Sequence, residues 1–211
     1  MAKKMTNSGN RKALSDVSDI SGLQALLSRS VDTERGLPPV DRWNPDYCGD
    51  LDMVIRADGT WFYMGTPIGR APLVRLFSTV LRKDEDGKTY LVTPVEKIGI
   101  TVEDAHFVAV EMHVRDRGPD QVLTFRTNVG DVVEAGPEHA LRFELEAESD
   151  GLKPYLHVRG RLEALVSRAV MYDIVELGET VEIDGEQMFA VRSGGEVFAV
   201  MPADELERAA R

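Results

Sequence analysis

Five glycine-containing pairs, Asp58-Gly59, Asp86-Gly87, Asp150-Gly151, Asp184-Gly185 and Gly194-Gly195, cut the chain into short segments that leave little room for long helices. Glycine enters positive φ without steric cost and aspartate tolerates it, so such pairs suit the tight turns of β-hairpins. The segments between them alternate apolar and polar residues with the period of a half-buried strand. Strands are predicted at 51–56, 60–64, 89–93, 97–102, 106–115, 121–127, 140–147, 154–158, 181–184, 187–192 and 196–201. In 106–115, Phe107, Ala109, Glu111 and His113 share one face, and Val108, Val110, Met112 and Val114 the other.

Helical spacing interrupts this pattern at two places. Residues 71–82 open with Pro72 in the first turn and gather Leu73, Leu76, Phe77, Val80 and Leu81 on one side. Residues 161–176 gather Leu162, Leu165, Val166, Ala169 and Val170. A further helix is expected at 15–29, separated from the rest by Gly36-Leu37-Pro38-Pro39, which no helix can cross. The fold class that follows is α+β, dominated by antiparallel sheet.

The two halves also repeat an order of features. Asp58-Gly59, Tyr63, Gly69-Arg70, a helix and Asp86-Gly87 in the first are matched by Asp150-Gly151, Tyr155, Gly160-Arg161, a helix and Asp184-Gly185 in the second. The expected organisation is a lead-in with a short helix at 1–39, a first α+β unit at 40–105, a β-hairpin extension at 106–139 and a second α+β unit at 140–211.

Charge narrows the partners. The 211 residues carry 25 Lys and Arg against 36 Asp and Glu, a net −11. Lys3, Lys4, Arg11 and Lys12 lie in the first 14 residues, which hold no acid, so the remainder has 21 bases against 36 acids, or −15. Nucleic-acid polymers are bound mainly through neutralised phosphates, and an acidic body without a basic stripe is not built for one. The longest apolar run, Val197 to Met201, has five residues, against the roughly 20 that a membrane span needs. Cys48 is the single cysteine, which excludes an intrachain disulfide and suits a reducing cytoplasm. His106, His113, His139 and His157 lack zinc-ligand spacing, and no cofactor is expected.

Within this acidic body, Arg70 and Arg161 each follow a glycine at an expected helix start, where unpaired N–H groups and an arginine together suit a phosphate or carboxylate. Arg159 alternates with Val158 and Gly160 at a strand end, which puts it on one face with Arg161, and the turn from Phe125 to Asp131 offers Arg126 and Asn128, whose amide carries both donor and acceptor. Each of these arginines has carboxylates enough to form an ordinary ion pair instead, and Asn128 is equally a turn former. Tyr63, Trp43, Trp61 and Tyr155 fit either a core or a stacking role. Asp50 and Asp52, at i and i+2 on one strand face, fit Mg²⁺ binding or phosphoryl transfer, although no buried apolar strand precedes them. No nucleophile elbow or phosphate-binding loop is present.

The segments RWNPDYCGDLDM, DGTWFYMGTPIGR, LVTPVEKIGITVEDA, LTFRTNVGD and PYLHVRGRLEALVSRAVMYD, spanning about Arg42 to Leu177, resemble those of a bacterial domain-of-unknown-function family, number twelve eighty-five of its series. The resemblance implies a duplicated core of two α+β domains, a pleckstrin-homology-like second domain, and a nucleotide-like ligand bound between the domains in signalling. It implies no catalytic residue. The expected function is therefore non-catalytic binding of an anionic, nucleotide-like small molecule by Tyr63, Arg70, Arg126, Asn128, Arg159 and Arg161. The alternatives are a protein-interaction adaptor and a metal-dependent phosphoryl-transfer enzyme using Asp50 and Asp52.

Overall fold

The structure, a computed structural model, describes residues 36–146 and 151–209. The helix expected at 15–29 lies outside them. The chain divides into two compact units: one takes the residues up to Val54 and Thr60–Thr101, the other Ile55–Gly59 and Val102 onward.

The first unit holds, apart from the last residue of its two longest strands, β1 (Tyr47–Ile55), β2 (Trp61–Tyr63), β3 (Thr66–Pro67), α1 (Ala71–Thr79), β4 (Leu81–Lys83), β5 (Thr89–Val92) and β6 (Lys97–Val102). Its strands are ordered β3-β2-β1-β6-β5-β4. The central pair runs parallel: Lys97 N donates to Asp46 O at 3.3 Å at one end, and Glu103 N to Ile55 O at 2.9 Å at the other. Helix α1 buries Leu73 and Phe77, and the Phe77 ring stacks on Trp61 with centroids 6.2 Å apart.

The second unit holds β7 (Phe107–Arg115), β8 (Val122–Thr127), β9 (Val132–Glu134), β10 (Leu141–Leu145), β11 (Leu152–Arg159) and β12 (Leu162–Val166) in one sheet, ordered β10-β11-β12-β7-β8-β9. Here too the central pair, β12 with β7, is parallel and every other pair antiparallel. Helix α2 (Arg168–Glu176) follows, then a three-stranded meander of β13 (Glu179–Ile183), β14 (Glu186–Ser193) and β15 (Glu196–Pro202), and α3 (Ala203–Ala209). Ser193 at the β14 end accounts for its own complete burial: its hydroxyl donates to Ala135 O at 2.7 Å and accepts from Leu123 N at 2.8 Å.

Counted from its own first strand, each six-stranded sheet has the same order, third-second-first-sixth-fifth-fourth. The fold is α+β with a duplicated sheet arrangement. The residue equivalence differs from the one in the linear repeat. Sheet position pairs β1 with β7, so the Asp86-Gly87 hairpin corresponds to the β10–β11 hairpin, whereas the linear repeat paired that second hairpin with Asp58-Gly59. The helix also moved in chain order: α1 precedes the fourth strand of its sheet, and α2 follows the sixth of the other.

Three local expectations are corrected. The helix expected at 161–176 is a strand and then a helix, divided at Ser167 (φ −60°, ψ 152°), because residues 164–166 pair with β7. Gly160-Arg161 is consequently the β11–β12 turn and no helix start. The stretch 106–139, expected as an extension, supplies β7–β9 of the second sheet. In β7 a bulge between Ala109 and Glu111 reverses the faces midway: Phe107 and Ala109 are buried, after which the inward positions pass to Met112 and Val114.

Candidate functional site

Arg70 is the N-cap of α1, with extended backbone (φ −94°, ψ 97°), Pro at the start of the helix and no acidic side chain in the first turn. Its carbonyl accepts from Leu73 N at 2.9 Å and Val74 N at 3.2 Å, which fixes the helix entry, and Ile68 N donates to Trp61 O at 2.8 Å, which fixes the approach from β3. The Arg70 side chain is exposed, and among the described residues no carboxylate pairs with it. Tyr63 lies in the same hairpin-to-helix segment, half-buried on β2 opposite Thr66 of β3. The fold thus keeps these two in one unit.

The other four expected ligand residues lie in the second unit, and the structure gives three of them explicit tasks. Arg126 of β8 stands opposite Glu111 of β7 and grips it side-on, Nε donating to Oε2 at 2.7 Å and Nη2 to Oε1. That pair is exposed, and the hydrogen bonds from Arg126 hold the Glu111 carboxyl below the usual range. Arg159 donates through Nη1 to Asp131 at 2.6 Å and lies over the Phe107 ring at 4.9 Å. Asn128, anticipated as a ligand reader, is a backbone clamp: Nδ2 donates to Gly59 O at 3.3 Å, and Oδ1 accepts from Val108 N at 3.0 Å. Arg161 is exposed in its turn.

Asp50 and Asp52 are both exposed on β1, and Asp50 accepts the Tyr47 hydroxyl at 2.7 Å. Among the described residues no group of three or more His, Cys, Asp or Glu side chains could hold a metal ion. Cys48 Sγ, half-buried, donates to Asp46 O at 3.3 Å.

One polar constellation was missed in the linear chain. Arg142 of β10 crosses above Tyr155 of β11 with Cζ 4.0 Å from the ring centroid, and donates through Nε and Nη2 to Glu163 of β12 at 2.6 and 2.8 Å. Its Nη1 donates to Glu144. The Tyr155 hydroxyl donates to Asp104 at 2.7 Å, and Lys153 Nζ reaches the same carboxylate at 3.3 Å. Burial, and then the bond to Asp104, push the Tyr155 phenol up to about 12. Lys153 is raised by its hydrogen bonds to Glu146 and Asp104. Arg142 with Glu144, and Lys153 with Tyr155, each two apart on one strand, were the local signal; Glu163 arrives through sheet register and Asp104 from the connection before β7.

The family comparison agrees with this architecture. A model of the N-terminal domain of the DUF1285 family, a domain of unknown function, matches residues 38–105, and one of the family's C-terminal domain matches 106–200. The chain belongs to the DUF1285 family. A crystal structure of a DUF1285 family protein from Silicibacter pomeroyi DSS-3 is similar at 46% identity and a TM-score of 0.76, over 83% of this chain and 96% of that one. A DUF1285 family protein from Shewanella baltica OS155 is similar at 27% identity and a TM-score of 0.47, over 59% and 91%. Among curated proteins none matches. In this DUF1285 chain no helix among the described residues is long and apolar enough to cross a membrane.

Proposed function

We propose that this DUF1285 protein is a non-catalytic, cytoplasmic binding protein for a small anionic, nucleotide-like molecule, acting in signal transduction. The observation that carries the reading is Arg70. In a chain of net charge −11 it stands exposed at the first turn of α1 without a carboxylate partner among the described residues. Pro72 has no N–H, and the Leu73 and Val74 N–H groups bond the Arg70 carbonyl, so the helix start adds the Ala71 N–H and the positive end of the helix dipole to the Arg70 guanidinium for an incoming phosphate or carboxylate. Arg126 and Arg159, each already holding a carboxylate, are secondary to it in this reading.

Thermal unfolding of the full chain with inorganic phosphate and with nucleoside mono- and triphosphates tests the reading. A specific ligand at about 100 times its Kd stabilises the fold by about 2.7 kcal/mol. Arg70→Gln is expected to abolish that gain. No stabilisation by any of these anions, or the same gain in Arg70→Gln, overturns the reading.

A further inference from the structure

The three-stranded meander of the second unit ends on an open edge. Asp184 and Gly185, the turn from β13 to β14, both have positive φ, +52° and +85°, and the register sets Ile183 opposite Glu186 across them. A two-residue turn of this kind closes on a bonded pair, and bonded pairs then alternate along the ladder. Ile183, Val181 and Glu179 thus turn their backbone groups to β14, and Thr180 and Glu182 turn theirs outward. Both residues are exposed, and nothing among the described residues bonds those outward N–H and C=O groups. Other sheet edges are short or covered: β3 has two residues, one of them Pro67, β9 has three, Arg82 holds the Val40–Trp43 segment beside β4, and β10 and β15 lie next to each other. β13 has five residues and none of the proline, lysine or bulge that commonly guard a free strand.

We propose that β13 is a docking edge for an extended, basic segment of a protein partner, which joins the meander as a fourth strand. In such an arrangement backbone pairing supplies the attachment and side chains the selection. Charge decides the partner. From Ala169 to Val191 the chain has six acids and no Lys or Arg. Glu179, Glu182, Asp184 and Glu186 are exposed around the edge, and among the described residues only Glu179 has a cation, Arg192 of β14. A second copy, itself at net −11, would bring the same acids against this edge, whereas a strand bearing Lys or Arg sets cations beside Glu182. Thr180 and Glu182 share one face of β13, and the half-buried Val181 and Ile183 the other, so the matching strand alternates basic and apolar residues. No residue of the Arg70 reading takes part, so the two stand or fall separately.

The probe is the end-capped peptide Lys-Val-Lys-Val-Lys-Val-Lys, titrated into the full chain with amide hydrogen exchange read by NMR. At saturation, exchange at Thr180 and Glu182 should slow about tenfold or more, while Glu179, Val181 and Ile183, already bonded to β14, change little. That alternation marks strand pairing, and loose electrostatic adhesion does not produce it. Glu182→Lys, a change at an exposed position, should weaken the lysine peptide about tenfold and bind Glu-Val-Glu-Val-Glu-Val-Glu in its place. Thr180→Pro removes an outward N–H while leaving the β14 ladder intact, and should weaken binding severalfold. Unchanged exchange at Thr180 and Glu182, or undiminished binding of the lysine peptide by Glu182→Lys, overturns the proposal. So does the same protection growing with protein concentration in the absence of peptide, which marks a second copy as the occupant.

Discussion

Asn128 closes on Gly59: its Nδ2 donates to the Gly59 carbonyl at 3.3 Å, while its Oδ1 and backbone N both bond Val108, at 3.0 and 2.8 Å. Gly59 has φ +80°, and a Cβ there would stand 2.7 Å from Asn128 Nδ2 and 2.8 Å from Val108 Cγ2. Gly59→Ala therefore meets both backbone strain and a collision, and is expected to cost about 2 kcal/mol or more in urea unfolding. Asn128→Ala alone should cost about 1–2 kcal/mol through the lost bonds. The double variant should cost less than the sum, because removing the amide makes room for the new methyl.

Asp84 gives the stability a defined acid limb. Burial pushes its carboxyl up, but hydrogen bonds from Arg82 and Lys97 outweigh that and hold it below the usual range. An unfolded aspartate titrates near 3.9, roughly. Because the folded value is the lower one, the stabilisation is complete above the unfolded value and is lost as pH falls through the folded one. Arg82 also donates to Val40 O at 2.8 Å and Trp43 O at 2.7 Å, so Asp84 orients the clamp on the segment entering the first unit. Asp84→Asn should cost about 2 kcal/mol near neutral pH and flatten the loss of stability below about pH 4, measured by urea midpoints across the acid range.

Trp61 is 1% exposed, and among the described residues its indole Nε1 has no hydrogen-bond partner. An unsatisfied buried donor costs about 1–3 kcal/mol, so Trp61→Phe, which keeps a ring against Phe77, should stay within about 1 kcal/mol of the parent. Trp61→Ala, which empties the site, should lose about 3–5 kcal/mol. Chemical denaturation of the pair separates the polar term from the packing term.

Ser193 ties the meander to the β8 and β9 strands. Ser193→Ala leaves the Leu123 N–H and the Ala135 carbonyl without this partner in a fully buried place, and should cost about 2 kcal/mol. Amide exchange at Leu123 should accelerate in the same variant.

Strands were legible where alternation and turn chemistry agreed. Residues 97–102 are β6 as read, and 121–127 and 196–201 differ from β8 and β15 by a residue at one end. The two-residue β3 and three-residue β9 are too short to carry a period, and β4 was absorbed into the helix reading because Val80 and Leu81 extend its apolar face. In 162–166 the apolar residues fit both periods, and pairing with β7 decided for strand.

The acidity of the body, the lone cysteine, the absence of a long apolar run and the hairpin punctuation are properties of the linear chain, and they follow from composition and from what glycine and aspartate do to the backbone. Hairpin punctuation and strand alternation sufficed for the α+β class and pointed to a repeat, but the repeat read along the chain paired the wrong hairpins. Which arginines are occupied was beyond them. Arg126, Arg142 and Arg159 find Glu111, Glu163 and Asp131 across 15, 21 and 28 residues of sequence, distances at which a carboxylate is made a neighbour only by strand register. Register and strand order belong to the folded sheet, and so the fold alone decided that Arg70 stands without a carboxylate among the described residues, that Asn128 serves the backbone, and that Arg142 lies over Tyr155.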